Sequence, residues 1–192
     1  MARITKSVEE RRKEIIDTAK ALFMEFGFDK TQISDIAKTM NVAQGLIYHY
    51  FKSKSEVFYV VIDEMAEEKR GEIELAMHGN EKTALEKLHK LLGIKMQSDK
   101  FGNMITSISD DAAMIEYCTS KMTEAALQML LTLIKQGNED GSWNCAYPED
   151  TALFILRGFS VFFDITGLEE EKEEKKQILL YIILRVLGAK VD

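Results

Sequence analysis

A chain of 192 residues is long enough for one domain or two small ones, and a hydrophobic fraction of 46% is ample for a buried core. The formal net charge of −7 argues against wholesale wrapping by nucleic acid, because like charges repel. The charge is uneven, however. Residues 1–56 hold ten Lys/Arg against eight Asp/Glu, net +2, and the rest holds fifteen against twenty-four, net −9, so a mildly basic head on an acidic body suits a local DNA contact.

A first helix is expected from Val8 to Phe26, with Ile15, Ile16, Ala19, Leu22, Phe23 and Phe26 as its apolar stripe and Gly27 as its stop. The basic residues at its start (Arg3, Lys6, Arg11, Arg12 and Lys13) read either as an arm reaching DNA or as a solvated helix start diluted by Glu9, Glu10 and Glu14. Residues 31–54 then read as two short helices joined by a tight turn, the form that places one helix in the DNA major groove. Thr31 is the expected N-cap of the first of these. Ile33, Ile36, Ala37 and Met40 recur at helical spacing and face inward. Asn41 sits where the chain must turn sharply, and Asn tolerates the left-handed backbone better than any residue except Gly. The second short helix runs from Ala43 to Tyr50, supported by Val42, Leu46, Ile47, Tyr50 and Phe51. Gly45, with no side chain, allows a phosphate to come close. Ser53 and Glu56 form a capping box that opens a long helix from Lys54 to about Met77, and Lys54 beside that helix N-terminus reads as a phosphate site.

Further on, Gly79-Asn80 breaks the long helix, and Asn80 is the expected cap of a fifth helix to about Gln97. Residues 98–110 read as a loop with a short helix. A helix over 112–135 follows, then a loop from Gly137 to Tyr147. Pro148, favoured at a first helical position, opens a helix to about Thr166. A last helix covers about 169–187, its charged start (169–176) being a solvated turn or two. No strand pattern and no repeat is visible, so the expected fold class is all-α. The expected division is 1–54 for a DNA-binding domain and 55–192 for an effector-binding and dimerisation domain.

Taken as a set, Ala19, Leu22-Phe23, Gly27-Phe28, Thr31, Ile36-Ala37, Val42, Gly45, Ile47-Tyr48-His49-Tyr50-Phe51, Lys52, Lys54 and Glu56 resemble the TetR family of one-component transcriptional regulators. They cover about the first third of the chain. The resemblance implies an all-helical homodimer with a three-helix DNA-binding head and a larger ligand-sensing body. The chain departs from the family pattern at Ala43, where Ser or Thr is frequent, at Leu46, which is polar in many members, and at Asn41, which replaces the common turn glycine; these departures bear on the operator sequence.

The expected DNA-facing residues are Thr31, Gln32, Ala43, Gln44, Gly45, Tyr48, His49, Tyr50, Lys52 and Lys54. Gln44 is the best base reader, since an amide side chain pairs with adenine, and Lys54 is expected on phosphate, adding affinity without sequence information. Leu46 is a candidate for a thymine methyl. The helices over 148–166 and 169–187 are apolar on too many faces for one short chain to cover. Self-association through Phe159, Phe163, Ile178, Tyr181, Ile182 and Arg185 is the reading preferred over burial within one protomer. The implied ligand cavity draws candidates Met104, Ile108, Tyr117, Met122 and Phe162. With no cationic cluster in the body, the implied effector is small and apolar or amphipathic.

The three histidines and two cysteines lack ligand spacing, so no metal and no cofactor is expected. No nucleophile elbow or phosphate loop points to an enzyme. Cys118 and Cys145 are too few and too far apart for a disulfide framework. Cys118 as a redox sensor stands against the commoner fate of a small buried thiol. The polar N-terminus shows no signal peptide, and no apolar run reaches the roughly 20 residues of a membrane span, so the cytoplasm is the expected compartment. The expected partners are a double-stranded DNA operator, the effector and a second copy of the chain. The alternatives are a helical protein-interaction module and a regulator without a ligand.

Overall fold

The computed structural model of the chain describes residues 6–93, 104, 107–109, 111–165 and 172–190. Eight helices and no strand occur among the described residues: α1 (Val8–Phe26), α2 (Ile33–Thr39), α3 (Gln44–Tyr50), α4 (Lys54–Met77), α5 (Ala84–Gly93), α6 (Ala112–Asp140), α7 (Pro148–Ile165) and α8 (Lys172–Val186). The chain divides into two compact units, residues 1–65 with 97–118, and residues 66–96 with 119–192.

The first unit is built on α1. Ser7 caps that helix: its Oγ accepts the Glu10 N–H at 3.1 Å while the Glu10 carboxylate accepts the Ser7 N–H at 2.7 Å, a pairing worth about 1 kcal/mol. Ile15, Ile16, Ala19 and Phe23 are fully buried along one stripe, whereas Phe26, expected on that stripe, is 51% exposed. Gly27 ends the helix at φ 86°, its N–H on the Phe23 carbonyl. Phe23, Phe28 and Phe58 then meet with ring centroids 4.7–5.8 Å apart. Val57, Phe58, Val61 and Ile62, all from α4, have no exposed surface. The core of the head therefore runs past residue 54, because a three-helix head alone leaves one side of α1 bare. Met104, Ile108, Met114 and Cys118 join the same buried cluster.

The second unit packs Ala84 and Leu88 of α5, Leu130, Leu133 and Ile134 of α6, and Ile155 of α7 with Leu179, Ile183, Leu184 and Leu187 at the C-terminal end. Helix α6 is five residues longer than its pattern predicts, because Gly137 does not stop it. The glycine makes room for Trp143, whose ring occupies the space of a Cβ at 2.0–2.3 Å, and whose Nε1–H donates to the Ile134 carbonyl at 3.0 Å. Asn138 closes the loop by donating to the Cys145 carbonyl and accepting its N–H. The cap of α5 is Thr83, not Asn80: Thr83 Oγ1 accepts the Glu86 N–H, Glu86 accepts the N–H of Lys82, and Asp140 accepts the Ala84 N–H at 2.7 Å. Helix α8 is described from Lys172 onward. It buries one face and leaves Ile178, Tyr181, Ile182 and Val186 36–48% exposed, as Leu153 and Phe154 of α7 are at 44% and 66%.

Most of residues 98–110, the start of the last helix at 169–171, Arg3, and the side chains of Phe159, Phe162 and Phe163 lie outside the described residues. No described helix is long and apolar enough to cross a membrane.

Candidate nucleic-acid interface

The helix-turn-helix is set by its backbone turn. Asn41 adopts φ 54°, the one non-glycine residue with positive φ among those described. The Met40 N–H still reaches the Ile36 carbonyl, and the Val42 N–H reaches back to Ala37 at 2.9 Å, closing α2 before the chain turns. Ala43 is extended (φ −71°, ψ 140°) and caps α3, which begins at Gln44, one residue later than expected. Within α3, Ile47 is fully buried, and Phe51 beyond the helix end is 2% exposed. With Ile47 pinned, a seven-residue helix has no freedom of register. Gln44, Gly45, Tyr48 and His49 must face outward, and all four are exposed. Gln32, Ala43 and Lys52 share that exposure, Tyr50 is half-buried with its ring edge against His49, and Leu46 is also half-buried.

Gly45 is informative for what it lacks. A Cβ there would meet nothing within 4 Å, and its φ is not positive, so nothing inside the chain requires a glycine in this helix.

Two expected DNA contacts are placed elsewhere. Thr31 is 2% exposed, and its hydroxyl donates to the Gly27 carbonyl at 2.8 Å. Its side chain therefore serves the α1–α2 turn, and the cap of α2 is the next residue, Gln32, whose N–H goes to the Asp35 carboxylate at 2.8 Å. Lys54 points into the head: Nζ donates to the Phe28 carbonyl at 2.9 Å and lies 4.1 Å from the Phe28 ring centroid. Burial holds this ammonium's pKa below the ordinary lysine value, partly countered by the Asp29 charge. The Ser53 cap of α4 forms, with its Oγ accepting the Glu56 N–H at 3.1 Å, but the Glu56 carboxylate takes the N–H of Lys52, one residue before the expected box.

The basic start of α1 is engaged within the chain. Lys6 and Arg11 pair with Glu14, Lys13 bridges Asp17 and Glu64, and Arg12 lies 5.1 Å over the Phe51 ring. Among the described residues, these side chains belong to a folded helix start.

Three of the ligand-cavity candidates, Met104, Ile108 and Tyr117, belong to one hydrophobic cluster. Met104 and Ile108 are buried in the head core. Tyr117 packs on Tyr59 with centroids 4.7 Å apart and donates to Asp63 at 2.7 Å; burial first, then that bond, pushes its phenol up to about 12. Met122 is half-buried. Cys118 is fully buried, and burial pushes its thiol up to about 12, which leaves it neutral and unreactive at ordinary pH. No three His, Cys, Asp or Glu side chains gather as metal ligands among the described residues.

The pattern of the sequence also did not single out Asp29, Ser107 and Ser109. Ser107 Oγ accepts the Phe28 N–H at 2.7 Å, and Ser109 donates both its N–H and its hydroxyl to the Asp29 carboxylate, which those bonds hold below its ordinary pKa. The partners are about 80 residues apart, and no local spacing signals such a pairing.

Comparison with known proteins agrees with this geometry. Residues 15–60 match the family described as bacterial regulatory proteins, tetR family. The chain is 27% identical over 161 residues to the uncharacterized HTH-type transcriptional regulator YhgD of Bacillus subtilis, covering 81% of this chain and 84% of that one. It is 42% identical over 76 residues to the HTH-type transcriptional regulator AcrR of Shigella flexneri, covering 39% of this chain but 35% of AcrR. The fold is shared with reduced NemR of E. coli (TM-score 0.70, 16% identity, 94% of this chain and 99% of that one). It is shared as well with a transcriptional regulator of Cytophaga hutchinsonii (TM-score 0.73, 16% identity, 92% and 96%). The helix-turn-helix with its outward polar face and these likenesses agree: the N-terminal part of the chain is similar to the DNA-binding head of the TetR family of transcriptional regulators.

Proposed function

We propose that this regulator is a ligand-responsive repressor that binds a palindromic operator as a symmetric homodimer in the cytoplasm. The observation that carries the reading is the outer face of α3. Gln44, Tyr48 and His49 stand exposed around a glycine that nothing in the chain demands, which is the arrangement of a helix that lies close against another molecule's backbone. Gln44 reads a base edge, Tyr48 and His49 extend the contact, and exposed Gln32 and Lys52 meet phosphate on either side. Two heads related by a dyad address two half-sites, so operator symmetry mirrors protein symmetry. The dyad is formed by α7 and α8, whose exposed Leu153, Phe154, Ile178, Tyr181 and Ile182 make an apolar surface unusual for a lone soluble chain.

The effector is small and apolar or amphipathic, and it acts only through a different affinity for the DNA-competent and DNA-incompetent states. The test is selection of bound sequences from a random DNA pool at physiological salt. A two-fold symmetric motif, with preference at one position relaxed by Gln44→Ala, is the expected result. A bound motif without symmetry would overturn the dimeric operator, and no enrichment by ligand-stripped protein would overturn DNA reading altogether.

A further inference from the structure

The α1–α2 turn is held at more points than a six-residue connection requires. Phe28, 7% exposed, lies at its centre. Its N–H is taken by Ser107 Oγ, and that hydroxyl donates onward to the Met104 carbonyl at 2.7 Å. Its carbonyl accepts Lys54 Nζ at 2.9 Å and, at a longer 3.3 Å, the Thr31 N–H. Its ring sits beneath the same ammonium and against Phe58. The next residue, Asp29, is fastened to Ser109. Helix α2 starts five residues after Phe28, and α3 is tied to α2 by the Asn41 turn. The orientation of the Phe28 peptide therefore propagates into the direction of both helices.

We propose that Lys54 is a positioning residue for DNA recognition: with Ser107 it clamps the two peptide groups that flank Phe28, fixes the angle at which α2 and α3 are presented, and does not itself contact phosphate. The proposal rests on the reading of α3 as a DNA-binding helix. The lysine ammonium has three N–H bonds. One is spent on a carbonyl, and a second direction is filled by the face of an aromatic ring that attracts the cation. Moving it onto a phosphate would break both contacts and leave the carbonyl with only the longer Thr31 bond. Lys52, exposed two residues earlier, reaches phosphate with no such loss.

The two roles differ in salt dependence. A lost phosphate contact flattens the slope of log affinity against log salt by about 0.9, whereas a lost positioning contact lowers affinity and leaves the slope unchanged. The experiment uses the full chain and its pool-selected DNA across a salt series. Lys54→Met and Ser107→Ala are each expected to weaken binding about tenfold at every salt, the scale of a lost charge-assisted or buried hydrogen bond, with the native slope. Lys52→Ala is expected to flatten the slope. Because Lys54 and Ser107 hold the two sides of one residue, the double variant should lose less than the product of the single losses, which a general loss of stability would not produce.

A slope flattened by Lys54→Met, or an affinity it leaves unchanged, overturns the proposal. Should Lys54→Met fail to fold, the native protein decides: the Lys54 ammonium resonance is expected to stay put on addition of DNA while that of Lys52 moves, and a Lys54 shift of equal size refutes the assignment. If the native chain selects no DNA, the DNA-binding reading fails, and this proposal falls with its premise. A native chain that binds while Lys54 shows either refuting behaviour overturns the proposal alone.

Discussion

Gly45→Ala is expected to make the protein more stable and a poorer DNA binder. Glycine in a helix costs about 0.5–1 kcal/mol relative to alanine, because the unfolded chain has more freedom to lose. A helix demands such a residue only where a side chain would collide with something or where φ is positive. At Gly45 neither holds within the chain: a Cβ meets no atom within 4 Å, and the backbone is ordinary helix. The methyl group should therefore return about 0.5–1 kcal/mol, which raises the melting temperature of a unit of this size by roughly 2–8 °C. On the proposed reading, the same methyl would stand between α3 and the sugar-phosphate backbone of bound DNA. Holding the backbone off by its radius should weaken one or two phosphate contacts, about 1–2 kcal/mol or roughly tenfold or more in affinity. The assay pairs thermal denaturation with binding to the selected sequence at one fixed salt. Gly71→Ala is the control: it too lies in open space, within α4, and should gain stability with no change in DNA affinity. Unchanged affinity in Gly45→Ala would refute a close approach at this position, and a lowered melting temperature would refute the packing argument.

Gly137→Ala should do the reverse of Gly45→Ala. Its Cβ would fall about 2 Å from the Trp143 ring, and displacing that buried indole costs about 3 kcal/mol against about 1 kcal/mol gained in helix propensity. In a Trp143→Ala background the same change should become stabilising, as read by chemical denaturation followed by circular dichroism. Asn41→Gly should leave stability within a few tenths of a kcal/mol, whereas Asn41→Ala should cost about 1 kcal/mol, since φ is 54°; the melting temperatures decide. Ile182→Glu, on the exposed face of α8, should convert dimer to monomer in sedimentation, weakening self-association by about 2 kcal/mol or more, while leaving the helical content intact. Cys118, with its thiol pushed up to about 12 by burial, should resist alkylation in native protein at pH 8 and react at once when unfolded. Its contribution to stability is complete below the ordinary thiol pKa and fades as pH climbs towards 12.

The helix-turn-helix was legible because its signals are local. Ile33, Ile36, Ala37 and Ile47 mark the inner faces by spacing alone, and Asn41 marks the turn by the one backbone conformation it tolerates better than its neighbours. Other features were harder to read from spacing. Thr31 has the chemistry of a helix cap, but its hydroxyl is taken by the Gly27 carbonyl of its own turn; Lys54 has that of a phosphate ligand, and its ammonium lies on the Phe28 carbonyl, distant in sequence. Gly137 reads as a helix stop until Trp143, six residues on, is seen lying over it. The cap of α5 was misplaced by three residues because Asn80 and Thr83 are both competent caps; the choice falls to Thr83, where Glu86 and Asp140 converge on the first turn. The cavity candidates Met104 and Ile108 were drawn from the right kind of residue, but packing assigns them to the head core.

That assignment bears on how a regulator of this kind can be switched. On the proposed reading, the residues that discriminate between DNA sequences (Gln44, Tyr48 and His49) project from a helix of seven residues whose register is fixed by one buried isoleucine. They have little capacity to move independently. The residues that set the direction of that helix (Phe28, Asp29 and Lys54) are fastened to Ser107 and Ser109, which lie far along the chain yet belong to the same compact unit. Sequence preference and presentation angle are thus carried by different side chains. Substitutions on the outer face of α3 should alter which DNA is bound at constant switching behaviour, and substitutions around the Phe28 peptide should alter affinity for every sequence alike. An effector that loosens residues 107–109 would act on the second set alone, weakening all binding without redirecting it, which is what release from an operator requires.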